Sequence, residues 1–197
     1  MSDKKKKPSP KHKKPRGRTT RHELRIGDET IEYTAKADWL VLRTDEKPRA
    51  EMFHVAYLRK DTDSAQRPLT FVFNGGPGAS SAYLHVGALG PRRVLFNADG
   101  TPPGPPARLV DNPESWLAFT DLVFVDPVGT GFSRLIEKDK KEGDGEGEKS
   151  EPNNKKEFYQ LQRDLESLGE FIQKFLSGNK RWDSPVFIAG ESYGGFR

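Results

Sequence analysis

The segment Pro185-Val186-Phe187-Ile188-Ala189-Gly190-Glu191-Ser192-Tyr193-Gly194-Gly195 joins an apolar run to a glycine-flanked serine. Pro185 to Ala189 is short, apolar and rich in strand-forming residues, so it reads as a buried strand. The pattern Gly190-x-Ser192-x-Gly194 then asks for a tight turn. Small residues on either side of the serine allow that turn and leave the hydroxyl clear of the backbone. A strand that runs through such a turn into a helix presents an exposed serine nucleophile.

Working outward, the preceding segment supports this reading. Phe158, Leu161, Leu165, Leu168, Ile172 and Phe175 recur at spacings of three and four. They predict an amphipathic helix of about five turns, with a stop near Ser177-Gly178-Asn179. Asp121-Leu122-Val123-Phe124-Val125-Asp126 reads as another buried strand. Strand, helix, strand is a parallel crossover unit, expected right-handed. The fold class is therefore α/β, and the strand–serine–helix turn is that of the α/β-hydrolase fold. Further upstream, Leu69-Thr70-Phe71-Val72-Phe73 is a third buried strand, and Ser80 or Ser81 can cap a short helix through Leu89. Residues 24–60 read as two or three antiparallel strands, with clear alternation over Thr30–Ala35 and Glu51–Leu58. Residues 97–113 are rich in turn formers and read as an irregular excursion.

Three loops follow the three buried strands, at 74–81, 127–133 and 190–195. In an open parallel sheet, sites form outside the carboxyl ends of the strands, so these loops can converge. Asn74-Gly75-Gly76-Pro77-Gly78 admits three readings: an ordinary turn, a phosphate cradle, or an oxyanion hole. It lacks the Gly-Lys-Ser/Thr ending of a phosphate-binding loop. Paired with Ser192, it suits an oxyanion hole, with one N–H from this loop and one from Tyr193.

The blocks Phe73 to Ser81, Asp126-Pro127-Val128-Gly129-Thr130-Gly131-Phe132-Ser133 and Gly190 to Gly195 resemble the N-terminal signature blocks of the serine carboxypeptidases, peptidase family S10. Asn112-Pro113-Glu114-Ser115-Trp116 resembles the family's N-P-x-S-W segment. The resemblance covers residues from about 50 to 197, with the blocks in the family's order. It implies a serine-type carboxypeptidase that removes C-terminal residues through an acyl-Ser192 intermediate. It implies an oxyanion hole from the N–H groups of Gly76 and Tyr193. It also implies that Asn74, the Gly75 N–H and Glu191 bind the substrate's terminal carboxylate. A protonated Glu191 can donate a hydrogen bond to a carboxylate, whereas an ionised one repels it. Binding is therefore expected to tighten at acidic pH. Alternatives are an acyltransferase or esterase of the same fold, and a truncated pseudoenzyme. A proline iminopeptidase fits less well, because that group typically begins its G-G-P-G loop with histidine where this chain has Asn74. Ala79 stands where many secreted members have cysteine.

In this fold the acid and the histidine follow the serine. Ser192 lies five residues from position 197, so both are expected downstream, and the 197-residue product is expected to be an inefficient peptidase alone. The four histidines, His12, His22, His54 and His85, all precede Ser192. His54 is expected to be a satisfied or edge histidine on a strand. His85 is expected to be structural, with a base role as the alternative. One sheet edge and one face of the core are expected to stand open.

Composition bounds the rest. Residues 1–21 carry ten Lys or Arg against one acid, leaving 23 basic and 28 acidic residues in the remainder. Residues 1–23 read as a disordered basic tail and 24–197 as the folded part, with a flexible charged insert at 137–157. The tail admits an anionic partner but has no aromatic interleaving for base stacking, so no nucleic-acid partner is expected. The expected partner is a peptide with a free C-terminus. No apolar span reaches 18 residues, so no membrane span is expected. There is no cysteine, which excludes disulfides and thiol chemistry. No cofactor and no metal is expected. The absence of cysteine and of a signal peptide favours the cytoplasm, with an exported or periplasmic location left open.

Overall fold

The structure, a computed structural model, describes residues 12–136 and 158–197. The expectations of a disordered tail over residues 1–11 and of a flexible insert at 137–157 lie outside the described residues. Nine strands are described. Seven form one mixed sheet: β1 (Arg18–Ile26), β2 (Glu29–Thr44), β3 (Lys47–Arg59), β7 (Asp121–Val125), β4 (Leu69–Phe73) and β9 (Val186–Gly190) in spatial order, with β8 (Arg134–Leu135) added to β3. The first three and β7 are antiparallel neighbours. β7, β4 and β9 run parallel. β5 (Arg92–Val94) and β6 (Leu109–Asp111) form a separate two-stranded sheet within the turn-rich excursion.

The parallel strands β4 and β7 are buried along their whole length, as their unbroken apolar runs require. β9 forms where expected but is not buried. Val186, Phe187 and Ile188 are 40, 55 and 58% exposed. Only its β4 side has a neighbour among the described residues. The expected tail boundary is also corrected: residues 18–23 belong to β1, not to the tail. Their side chains are charged and exposed, but their backbone pairs with β2 from Arg18 opposite Ala37 to Ile26 opposite Glu29. Backbone pairing does not need apolar side chains, and only Leu24 of β1 is fully buried. Ahead of β1, His12 Nε2 sits 2.8 Å from buried Glu51, and Lys14 reaches Asp38 at 2.8 Å.

Each face of the sheet covers its own core. On one side, α2 (Leu161–Asn179) packs Leu168, Phe171, Phe175 and Leu176 on Phe71, Phe73, Met52 and Val123. On the other, Leu24, Ile31, Tyr33, Val72, Leu117, Leu122 and Phe124 form a second cluster. The stripe on α2 is rotated from the expected one. Leu161 and Leu165 are exposed, while Asp164, Ser167 and Phe171 face inward. The helix ends at Asn179, within the expected stop, and Lys180 takes the left-handed cap position (φ 55°, ψ 48°). β9 then leads through Ser192 into the short helix α3 (Tyr193–Phe196).

Candidate active site

Ser192 occupies a backbone conformation that ordinary residues avoid, φ 54° and ψ −120°, between β9 and α3. Such a residue persists only where its surroundings hold it, and such strain concentrates at functional positions. The flanking glycines make the turn possible. A Cβ on Gly190 would lie 2.3 Å from the Gly194 carbonyl oxygen. The turn is tied to the end of β4, where Glu191 N donates to the Phe73 carbonyl at 3.2 Å. Both Glu191 and Ser192 are exposed.

The glycine loop abuts this turn. A Cβ on Gly75 would lie 2.7 Å from Ser192 Cβ and 2.8 Å from Tyr193 N. Gly76 follows at φ 112°, a conformation open to glycine. The loop is held at both ends. Asn74 Oδ1 accepts from Leu84 N at 3.0 Å, on α1 (Ala82–Leu84), which continues as a π-helical turn over His85–Leu89. At the other end Ser81 N donates to Asp126 Oδ1 at 2.9 Å. Ser81 precedes α1 but does not cap it with its hydroxyl. That hydroxyl lies instead against the carbonyls of Val72 and Val125.

Asp126 joins two of the three loops. Its Oδ2 accepts from Phe132 N at 3.1 Å while Oδ1 holds Ser81. Burial pushes its carboxyl above the usual carboxylate range, and the two N–H donors pull it back. Ser133 completes the second loop, accepting from Phe53 N at 2.7 Å and donating to the Asp126 carbonyl at 2.6 Å. A cavity of about 100 Å³ lies between the loops, lined by Ser80, His85, Asp126, Phe132 and their apolar neighbours. The N-P-x-S-W segment braces the π-helical turn. Asn112 Nδ2 donates to the Ala88 and Gly90 carbonyls, and Ser115 Oγ to the Leu89 carbonyl at 2.9 Å.

None of the four histidines hydrogen-bonds to Ser192. His85 Nε2 shares a hydrogen bond with the Tyr57 hydroxyl at 2.6 Å, and its ring stacks on Phe124 at 4.5 Å. Burial pushes its imidazole down to about 4. His54 is not an edge histidine, which corrects that part of the expectation. It is 1% exposed and wedged edge-on between Phe171 and Phe175, and among the described residues neither ring nitrogen makes a hydrogen bond of good geometry. Burial lowers it to about 4 as well. His12 is on Glu51, and His22 pairs with Thr20 and stacks on Tyr33. Among the described residues no group of three or more His, Asp or Glu side chains could hold a metal ion. No helix among them is long and apolar enough to cross a membrane.

Two contributors to this geometry escaped the sequence reading. Asp126 stood inside a recognised block, but nothing local revealed that its carboxylate ties the two loops. Arg197, 4% exposed at its side chain, pairs with Asp164 at 2.8 Å, and no pattern signals that pairing.

Ser192 thus stands at positive φ directly after a parallel strand, with the glycine loop packed on its Cβ. Residues 28–196 match the serine carboxypeptidase family, peptidase family S10, and the chain belongs to that family. It is 32% identical over 152 residues to the pheromone-processing carboxypeptidase KEX1 of Saccharomyces cerevisiae, covering 74% of this chain and 18% of that protein. It is 30% identical over 152 residues to serine carboxypeptidase-like 50 of Arabidopsis thaliana, covering 75% of this chain and 29% of that protein. A KEX1 protein of Verticillium alfalfae is 28% identical over 160 residues, 78% of this chain and 20% of that protein. The chain thus spans between 18 and 29% of the length of these relatives.

Proposed function

We propose that this chain carries the nucleophile, oxyanion and carboxylate-recognition parts of a serine carboxypeptidase site on the N-terminal part of an α/β-hydrolase fold. Ser192 Oγ attacks the carbonyl carbon of a peptide's last amide bond. The C–N bond breaks, the terminal amino acid leaves with a proton, and water releases the acyl group from Ser192. The N–H groups of Gly76 and Tyr193 receive the developing oxyanion. Asn74, the Gly75 N–H and Glu191 take the terminal carboxylate. The observation that carries this reading is the packing of Gly75 on Ser192 Cβ and Tyr193 N, with Ser192 at φ 54°. It brings the glycine loop to the face where acyl transfer needs donors.

The four histidines are engaged elsewhere, so among the described residues none serves Ser192 as general base, and without one a serine is a weak nucleophile. Peptide turnover by this chain alone is expected near the residual level that oxyanion donors and binding leave, about 10³ to 10⁴ over water. Acylation by an activated ester is the measurable step. Incubation with an N-acyl-amino-acid nitrophenyl ester, followed by peptide mass spectrometry, is expected to place the acyl group on Ser192 and nowhere in Ser192→Ala. An adduct elsewhere, or none, would sink the reading. Competition by an N-acyl amino acid should exceed that by its amide, and Glu191→Ala should reduce that preference. Equal competition by acid and amide would point instead to an acyltransferase or esterase.

A further inference from the structure

Arg197 brings a buried cation to the site that the acyl-transfer step does not use. Its Nε donates to Asp164 Oδ2 of α2 at 2.8 Å, with side chains 4% and 10% exposed. Its Nη1 donates to the Asn74 carbonyl at 3.4 Å. Its guanidinium carbon stands 4.9 Å from the centre of the Tyr193 ring. One guanidinium therefore touches the long helix, the start of the glycine loop and the residue after the nucleophile.

The contact with Asn74 has a geometric consequence. The Asn74–Gly75 bond is not among the cis bonds of the chain. In a planar trans peptide the carbonyl and the following N–H point in opposite directions. Holding the Asn74 oxygen on Arg197 therefore turns the Gly75 hydrogen away from Arg197. The positive charge at the oxygen end also polarises the peptide and strengthens its N–H as a donor. Asn74 is prepared in the same sense. Its Oδ1 is occupied by Leu84 N, which leaves the amide nitrogen as the donor end.

We infer that the Arg197–Asp164 pair is a positioning device for carboxylate recognition. It orients the Asn74–Gly75 peptide so that the Gly75 N–H and the Asn74 side-chain amide serve one incoming anion. The inference rests on the carboxylate-site reading above. Asp164 has two parts to play: it neutralises a guanidinium that would be costly to bury alone, and it fixes the direction of Nη1. Arg197 and Asp164 touch no substrate in this scheme and act through Asn74 and Gly75.

The test uses the ¹⁵N-labelled 197-residue chain, titrated with N-acetyl-phenylalanine and separately with N-acetyl-phenylalanine amide. Loss of a charge-assisted arrangement is expected to cost about tenfold in affinity. Arg197→Met should therefore lose about tenfold in binding the acid while its binding of the amide is unchanged. Arg197→Gln, which keeps a donor for the Asn74 carbonyl, should recover part of the loss. A purely structural role would weaken both ligands alike, and that outcome overturns the inference, as does unchanged binding of the acid. If Arg197→Met does not fold, Asp164→Asn decides. It should lose about threefold for the acid alone, and an unchanged acid-to-amide ratio overturns the inference. If the wild-type chain shows no preference for the acid, the carboxylate-site reading fails. The orientation claim is then decided by the Gly75 amide resonance: a shift in Arg197→Gln supports it, and an unmoved resonance overturns it.

Discussion

His54 and His85 are buried in the two different cores, His54 against Phe171 and Phe175 and His85 between Tyr57 and Phe124. Each is held near 4 by burial, below the unfolded value of about 6.5. Between those pH values the unfolded chain binds protons that the folded chain refuses, so stability rises with pH. The contribution is complete above about 6.5, falls as the pH drops towards 4, and amounts to about 3 kcal/mol for each histidine. Asp126 acts in the opposite sense, because its raised carboxyl favours the protonated folded form. Urea unfolding at pH 7 and pH 5 should show a marked loss of stability in acid. His54→Phe, which suits the aromatic surroundings, should remove about half of that loss. An undiminished loss in His54→Phe would mean that this histidine is not its source.

At the scale of elements, α2 shows what decides a buried stripe. The apolar spacing points to a stripe through Leu161 and Leu165, yet both are exposed. The helix instead turns Asp164 inward, where Arg197 meets it, with Leu168, Phe171 and Phe175 continuing that face. Phe171→Ala should then cost about 3–5 kcal/mol, as for a fully buried aromatic. Leu161→Ala should cost less than about 1 kcal/mol. Chemical denaturation of the two variants checks the orientation, and equal losses would contradict it. A second element-scale clamp lies at the start of β7. Asp121 is 2% exposed and takes Arg67 at 2.9 Å and Arg181 at 2.6 Å. It joins the beginnings of β4 and β7 to the segment before β9, at the end of the strands away from Ser192.

Among the described residues the sheet has two unlike edges. β1 is long and carries exposed charged side chains, which discourage pairing with another chain. β9 offers exposed Val186, Phe187 and Ile188 on an edge with no charged side chain before Glu191. The isolated 197-residue chain should therefore self-associate, and Ile188→Lys should raise the monomer fraction in size-exclusion chromatography with light scattering. If Ile188→Lys leaves the association unchanged, another surface is responsible. The boundaries of β4 and β7 were legible to within a residue because a strand buried on both faces needs an unbroken apolar run. β1 was not legible, since its charged side chains hide a pairing made by the backbone. The serine turn and the glycine loop could be read because each demands particular residues at adjacent positions. Those local demands are what the sequence determined by itself: the parallel strands, the serine between glycines, and the loop that could serve it. Tertiary structure alone decided that Gly75 rests on Ser192, that Asp126 ties two loops, and that Arg197 meets Asp164 and Asn74. Those contacts join residues tens of positions apart, and no short-range pattern records which charges and backbones folding will bring together.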